Sequence, residues 1–585
     1  MPDFIRIKNN IYWISALVLC CIYLIFKILN SADYTIDYPD TSTTYLPLAE
    51  FFLQDPLAAL RSEKAITVAP GSYIYMALFG AEKGNILIAN MILAIMSVFI
   101  IFDTVRRVFN KKSALLAAFF YAVSPTLTEV IVPALSEPPY VFFTLVWLWS
   151  LSLIYTYPDK RWPVVLSGVS LFLSIITRGI FFYWTIAALF ICATMYFLAK
   201  RTDVKRFAVR VAFSHVITAV GLSAVVVHND YFFNTPMIAT GSGAALYFGN
   251  DVVTHGYEPQ YVGLLHQEWM IIDGKRSHLA PENDARLKYA AFERVKDTPL
   301  KELTIFYFNK LGVNLFFSKE HLNDYILNKR TLRISLIILA LYGCFILFHN
   351  PVVVMYFFIT AYAVAVLIPV MYNQRYSIGN IDLLLVIMAG VGTAVLFSKS
   401  CKTIVFVFTL IFLLSAIGGL HMAYSHPLVP NTSNRHVKMA LLADENSISF
   451  NGLEGNPFID TVHTIDNEAS ITWNSFDDRK KGGVPILQID IETLDSRCRK
   501  VYFKYTADGI APRVESLRLD GFNSPGLLNF GTQPFDRLGH KNGSITVTFE
   551  CPIATEMKFN SMALYLSQAG RYYRERLPEE LKVIR

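Results

Sequence analysis

Apolar residues fall along this chain in long unbroken runs, and polar residues collect in the gaps between them. Several runs approach or exceed 18 residues, the length that carries a helix across about 30 Å of hydrocarbon. They lie near 11–29, 84–102, 113–130, 137–156, 163–177, 180–198, 208–228, 332–348, 351–371, 381–397 and 403–421. The pattern predicts about eleven spans, the fifth and sixth of them short. Run 11–29 is long, ends without a small-residue cleavage site and is followed by further spans, so it reads as a retained helix and not as a signal peptide. After His421 the pattern changes. Residues 430–585 are polar, with strand-like runs RKVYFKYTA, RVESLRLDGF, GSITVTFE and MKFNSMALYLS between Gly, Asn and Asp turns. The expected fold class is a mainly α, polytopic membrane protein, residues 1–425, with a C-terminal β-rich domain, residues 430–585, for which a sandwich is one solution.

Composition agrees. The 585 residues are 54% hydrophobic with a mean hydropathy of +0.40, which a soluble protein of this size rarely reaches. Basic clusters set the orientation. Arg106, Arg107, Lys111 and Lys112 follow the second span, and Lys160 and Arg161 the fourth. Lys200, Arg201, Lys205, Arg206 and Arg210 flank the gap after the sixth, and Lys399 and Lys402 follow the tenth. Every second gap is basic, so these gaps and the N-terminus are expected in the cytoplasm, with the C-terminal domain periplasmic or extracellular. The net charge of +6 is accounted for by this topology and does not suggest a nucleic-acid partner. Two outward segments are long, 30–83 and 228–330. Tyr45–Leu53 and Tyr73–Phe79 within them are expected to be short amphipathic helices lying in the interface, and Glu282–Lys319 to be helical, with its Pro299–Phe317 part lying on the membrane. Of the seven cysteines, only Cys498 and Cys551 lie in the polar C-terminal part, where a non-cytoplasmic location allows a disulfide.

The candidate chemistry lies on the outward side. The stretch DYTIDYPDTSTTYLPLAE places Asp33, Asp37, Asp40 and Glu50 directly after the first span, with Asp55 just beyond. Ala69-Pro70-Gly71-Ser72-Tyr73 closes the same loop. Ser136-Glu137-Pro138 opens the fourth span, Thr177-Arg178-Gly179 turns between the fifth and sixth, and Asn373-Gln374-Arg375-Tyr376 follows the ninth. Outward arginines run against the positive-inside tendency. Arg178 and Arg375 therefore call for a reason, and a phosphate at the interface supplies one, since guanidinium matches phosphate oxygens in bidentate fashion.

These segments resemble those of the GT-C glycosyltransferases, the bacterial relatives of protein O-mannosyltransferases and of the lipid A aminoarabinose transferase. The resemblance rests on PDTSTTYLPLAEFFL, APGSYIYMALFG, LSEPPYVFFTLVWLW, LSIITRGIFFYW, ALYFGNDVVTHGYEP and NQRYSIGNIDLLLV, in that order. It covers roughly residues 11–421. The first-loop motif departs from the family's Asp-Glu pair, reading Asp37-Tyr-Pro-Asp40, which leaves the choice of base between Asp37 and Asp40 open, with Asp40 preferred. The resemblance implies a polyprenyl-phosphate-sugar donor, a glycan, lipid or protein acceptor, and inversion at the sugar. It implies a carboxylate at Asp40 or Asp37 as base, phosphate contacts from Arg375, Arg178 and Lys310, and substrate contacts from Glu137, Tyr376, Asn250 and His255. Family members differ on metal use. A divalent ion held by Asp40, Glu137 and His255 is conceivable, but no ligand spacing demands it.

Each residue has a plainer reading. Asp33 and Asp55 read as solvated loop charges, and Asp37 and Asp40 as helix N-caps. Glu137 complements a helix dipole, Arg178 snorkels to lipid headgroups, Lys310 is an interfacial lysine and His255 a loop histidine. The competing function is a transporter or flippase of lipid-linked glycan, which would place charge near mid-membrane on broken helices. A membrane-anchored binding protein and a polysaccharide polymerase or ligase fit the pattern less well.

Overall fold

The computed structural model describes residues 2–31, 40–124, 126–127, 134–250, 279–316, 329–397, 448–476, 484–506, 513–519, 525–531 and 543–567. They fall into two compact units, one helical and one of strands.

In the helical unit, α1 (Pro2–Ser31) is followed by a π-helical turn, Thr41–Tyr45, that runs straight into α2 (Leu46–Gln54). Next come α3 (Pro70–Leu78), α4 (Lys83–Val108), α5 (Lys111–Val123), α6 (Glu137–Thr156), α7 (Trp162–Thr177), α8 (Trp184–Leu198) and α9 (Thr202–Phe233). Then follow α10 (Ser242–Gly249), α11 (Pro281–Asp297), α12 (Leu300–Phe316), α13 (Lys329–Leu347) and α14 (Pro351–Leu367). A short helix, Gln374–Ser377, and a second π-turn, Ile378–Asp382, lead into α15 (Leu383–Phe397). The core joins α4, α5, α6, α7, α9, α13, α14 and α15 through residues such as Val98, Leu145, Trp147, Leu171, Val211, Ile359 and Val386.

Helices lie on ten of the eleven expected spans, and the eleventh, 403–421, is outside the described residues. Four are long and apolar enough to cross a membrane: Lys83–Val108, Glu137–Thr156, Thr202–Phe233 and Arg375–Phe397. Five more apolar helices are shorter: Trp13–Leu29, Trp162–Thr177, Trp184–Leu198, Leu332–Leu347 and Pro351–Leu367. Two boundaries differ from expectation for a local reason. The third run stops at Val123 because Ser124, extended at ψ 117°, precedes a proline, which disfavours the helical region for the residue before it. The expected helix over 282–319 is cut into α11 and α12 at Thr298, extended at ψ 128° before Pro299. The spans are also less free of charge than the hydropathy implied. Arg333 on α13 pairs with Asp382 at the entry to α15 at 3.0 Å, both almost wholly buried.

The second unit is a two-sheet antiparallel sandwich. Its strands are β1 (Ile448–Asn451), β2 (Val462–His463), β3 (Glu468–Phe476), β4 (Val484–Leu494), β5 (Lys500–Thr506), β6 (Arg513–Arg518), β7 (Gly526–Gly531), β8 (Gly543–Glu550) and β9 (Glu556–Ser567). One sheet has the order β1-β3-β8-β5-β6, the other β2-β9-β4-β7. Alternate residues point inward, as the two-residue period requires. Ile471 of β3 and Phe503 of β5 both pair with Val547 of β8, and all three are buried against Leu487, Ile489 and Ile491 of β4.

Cys498 and Cys551 form the disulfide that the sequence allowed. It closes the end of the β5–β8 pair, with Cys498 two residues before Lys500 and Cys551 one residue after its partner Glu550. The bridge spans 53 residues, for which loop-closure entropy gives about 4 kcal/mol of stabilisation. Cys498→Ser is therefore expected to lower the melting temperature of the sandwich to that of the dithiothreitol-treated protein, with no further loss on reducing the variant. Equal melting of oxidised and reduced wild type would contradict this.

Candidate active site

The site is built from the ends of four elements. Asp40 opens the first π-turn. Its backbone is helical and its carboxylate makes no capping hydrogen bond, so the N-cap reading does not hold for it. Asp55 in the same loop is the true cap, accepting from the backbone N–H of Leu57 at 3.1 Å and of Ala58 at 3.0 Å. The Thr41 hydroxyl donates to the Ala134 carbonyl at 2.8 Å, and the Tyr45 hydroxyl reaches Ser136 Oγ at 3.5 Å. Those contacts fix the acidic loop to the residues that start α6.

Glu137 is the first residue of α6 and is 1% exposed. Its Oε1 accepts from Arg178 Nη1 at 2.6 Å and from Arg375 Nε at 2.9 Å. Its Oε2 accepts from Ser136 Oγ at 3.3 Å. Arg375 continues outward, with Nη2 3.2 Å from Asp40 Oδ2. The chain of charges therefore runs Arg178–Glu137–Arg375–Asp40, two of each sign, and side-chain exposure rises along its outer part from 1% at Glu137 through 24% at Arg375 to 53% at Asp40. The Arg178 guanidinium lies 5.1 Å from the Tyr376 ring centroid and 5.9 Å from that of Tyr140, within cation–π range.

Backbone packing explains the Pro-Gly segment. A Cβ on Gly71, at the start of α3, would sit 2.8 Å from Thr177 Oγ1 and 2.9 Å from the Ile176 carbonyl oxygen. Only glycine lets the start of α3 close on the end of α7, beside Arg178.

Asn250 and Lys310 belong to a separate fastening. Lys310 of α12 is buried, and its Nζ donates to the Gly249 carbonyl and, at 2.7 Å, to the Val370 carbonyl. Asn250 Nδ2 donates to Pro369 O at 2.9 Å, and Tyr307 OH donates to Asn250 Oδ1 at 2.5 Å. A Cβ on Gly249 would meet the Val370 carbonyl carbon at 2.3 Å, so glycine is required at that approach. The fastening ties α10 and α12 to the segment that leads to Arg375.

The structure thus brings Asp40, Glu137, Arg178, Arg375 and Tyr376 together and places Asn250 and Lys310 beside them in a backbone-binding role. Asp37 and His255 lie outside the described residues. Among the described residues no group of three or more His, Cys, Asp or Glu is placed to hold a metal ion, and both Glu137 oxygens already accept hydrogen bonds. The Arg333–Asp382 pair has as its sequence signal only one charge in each of two apolar runs. Arg333 Nη1 also donates to Ser377 Oγ at 3.2 Å, and Thr126 Oγ1 donates to Asp382 Oδ2 at 3.2 Å.

Comparison with known proteins agrees with the motif reading. Residues 72–229 match the family model described as dolichyl-phosphate-mannose-protein mannosyltransferase, a stretch that contains Glu137 and Arg178 and covers well under half of the chain. The matched stretch contains LSEPPYVFFTLVWLW and LSIITRGIFFYW and most of APGSYIYMALFG, and the other three motifs lie outside it. In structure the chain is similar to the archaeal oligosaccharyltransferase AglB from Archaeoglobus fulgidus in complex with an inhibitory peptide and a dolichol-phosphate. That likeness has 13% identity and a TM-score of 0.41, over 71% of this chain and 56% of that one. It is also similar to ArnT from Cupriavidus metallidurans bound to undecaprenyl phosphate, with 13% identity and a TM-score of 0.29, over 65% of this chain and 77% of that one. TmCBM61 in complex with β-1,4-galactotriose is similar over 23% of this chain and 90% of its own, at 14% identity and a TM-score of 0.15. The chain spans about half the length of the oligosaccharyltransferase structures it matches. No curated protein sequence matches the chain.

Burial pushes the Lys310 ammonium down to about 7. Above that pH the folded protein has released a proton that the unfolded chain keeps until its usual value near 10.4. Stability contributed at this position therefore rises as pH climbs from about 7 towards 10. Lys310→Met is expected to flatten that rise. Melting temperatures of wild type and variant between pH 6 and 10 check it, and parallel curves would contradict it.

Proposed function

We propose that the chain is an inverting glycosyltransferase that moves a sugar from a polyprenyl-phosphate donor to an acceptor hydroxyl at the outer face of the cytoplasmic membrane. The observation that carries this reading is the open, uncapped Asp40 carboxylate held next to Arg375, whose guanidinium is itself anchored by buried Glu137. The family match supports the donor class, since its description names a dolichyl-phosphate-linked mannose.

The residues divide the work as follows. Donor phosphate binds at the outward side of Arg375 and Arg178 and competes with Asp40 for Arg375 Nη2, which releases the carboxylate. Asp40 takes the proton of the acceptor hydroxyl as its oxygen bonds to the anomeric carbon. The bond from that carbon to the phosphate oxygen breaks, and its electron pair leaves on the polyprenyl phosphate. Phosphate departs without a protonated acid, so one carboxylate suffices where glycoside hydrolysis uses two. The two guanidiniums stabilise the charge that develops on the phosphate. Glu137 orients both arginines, and Tyr376 supports Arg178 from its ring face. Lys310 and Asn250 hold the segment before Arg375 in place. The acceptor is a glycan, a lipid or a protein hydroxyl. The disulfide suits an oxidising compartment, which agrees with a sandwich outside the cytoplasm.

A lipid-linked-glycan transporter is the second reading. The buried Arg333–Asp382 pair favours it, because ionised groups on membrane helices commonly mark transport paths.

Transfer of radiolabelled sugar from a panel of polyprenyl-phosphate donors by the purified full chain separates the two. Asp40→Asn is expected to lower kcat about 10²- to 10⁴-fold with donor binding kept, and Arg375→Gln to lower it about 10²- to 10³-fold and weaken donor binding. Asp37→Asn is expected to leave kcat near wild type. Full activity of Asp40→Asn beside an inactive Asp37→Asn would move the base to Asp37. No binding of any lipid-linked sugar would sink the transferase reading.

A further inference from the structure

A basic cavity lies at the other end of α7 from Arg178. Arg178 follows the last residue of that helix, and Arg161 precedes its first, a separation of about 24 Å for a 16-residue helix. Around Arg161 the turn between α6 and α7, the end of α8 and the start of α9 line an open cavity of about 410 Å³. Arg161, Lys205, Arg206 and Arg210 line it, with Asp159 as the single acid. Asp159 is mostly exposed and pairs loosely with Arg206 at 3.4 Å, so three cations remain in excess.

The cavity is shaped and not merely a charged rim. Arg210 donates to the Pro158 carbonyl at 2.6 Å and to the Lys160 carbonyl, which clamps the turn that forms one wall. Its Nε is buried without a hydrogen-bond partner among the described residues. The Lys205 ammonium sits 5.4 Å from the Tyr196 ring centroid on α8. Apolar side chains continue outward from the mouth. Val209 lies on its edge and Phe213 one turn further along α9, both exposed, with exposed Trp162 directly after Arg161.

We propose that this cavity binds the phosphate-bearing headgroup of an anionic phospholipid whose acyl chains run along the exposed face of α9. A basic cavity open to an apolar flank matches a lipid, which carries anion and hydrocarbon on one molecule. Inorganic phosphate shares only the first of these. The site stands apart from the glycosyl-transfer reading, since no residue is common to both.

The test uses the purified full chain in a neutral detergent, titrated with dioleoylphosphatidylglycerol, dioleoylphosphatidylcholine or inorganic phosphate, with melting temperature as the readout. Wild type is expected to show a saturable upward shift with phosphatidylglycerol and little with the other two. The variant Arg161→Gln/Lys205→Gln/Arg206→Gln leaves the Arg210 clamp intact and is expected to bind phosphatidylglycerol on the order of a hundredfold more weakly. Lys111→Gln/Lys112→Gln, in the preceding basic gap and not among the residues that line the cavity, is expected to keep the wild-type response. Native mass spectrometry of bound phosphatidylglycerol gives the same comparison independently of melting. If the triple variant melts well below wild type without lipid, Lys205→Gln alone takes its place, with an expected loss of about fivefold. Equal binding by wild type and the cavity variants overturns the proposal, as does an equal loss in the Lys111/Lys112 variant. A phosphate response as large as that to phosphatidylglycerol overturns the lipid assignment.

Discussion

One buried carboxylate holds the candidate site together. Glu137 Oε1 accepts from both Arg178 and Arg375, and these three residues come from the start of α6, the end of α7 and the segment before α15. Two guanidiniums so close to one oxygen would repel each other without the shared anion between them. Removing the carboxylate would leave two poorly solvated cations, and breaking a buried pair of this kind costs about 3–5 kcal/mol. The constraint also sets direction. Because Glu137 uses the inner N–H groups of Arg375, the outer ones face the open side, where Asp40 meets them.

Two π-turns flank this arrangement, Thr41–Tyr45 just after Asp40 and Ile378–Asp382 just after Arg375. A π-turn holds one residue more than an α-turn and rotates the helix beyond it relative to the helix before it. Asp40 and Arg375 can thus face each other while α2 and α15 keep their own packing faces. The second turn is braced underneath. Arg333 binds both Asp382 and Ser377, and Asn380 bonds the Tyr140 hydroxyl of α6. On its other side the Lys310 and Asn250 contacts pin residues 369 and 370. The segment carrying Arg375 is therefore fixed at both ends, which is what positioning a charge to within a fraction of an ångström requires.

Much of this was legible in the chain, and for identifiable reasons. The apolar runs located the helices because length and hydropathy are local properties. Arg178 and Arg375 stood out because they fall in gaps that the alternation of basic clusters assigns to the side poor in arginine, and Glu137 because it opens an apolar run. What was not legible depends on pairing across distance. Arg333 and Asp382 each fell inside an apolar run whose average hid a single charge, and only folding brings them to 3.0 Å. Lys310 read as an interfacial lysine because nothing local shows that two backbone carbonyls await it. In the sandwich, four runs matched β5, β6, β8 and β9, while ILQIDIETL of β4 alternates as clearly and went unread. Its residues Leu487, Ile489 and Ile491 lie at the centre of that core.

The acidic loop shows how structure exchanges two readings: the cap expected of Asp40 is made by Asp55, which the sequence leaves as a solvated loop charge. Asp40 and Asp55 each stand directly before a helical turn, where a carboxylate normally caps backbone N–H groups. Asp55 does so, with two such bonds, and its charge is thereby occupied. Asp40 has helical backbone angles, so the N–H groups ahead of it point along the helix and its side chain projects away from them. Its described ion-pair partner is Arg375, at the outer edge of that guanidinium. A carboxylate paired in this way is held in position yet remains open to a competing anion, which would take the arginine and leave the carboxylate oxygen beside whatever hydroxyl approaches. The same geometry that denies Asp40 a capping task leaves its carboxylate turned to Arg375.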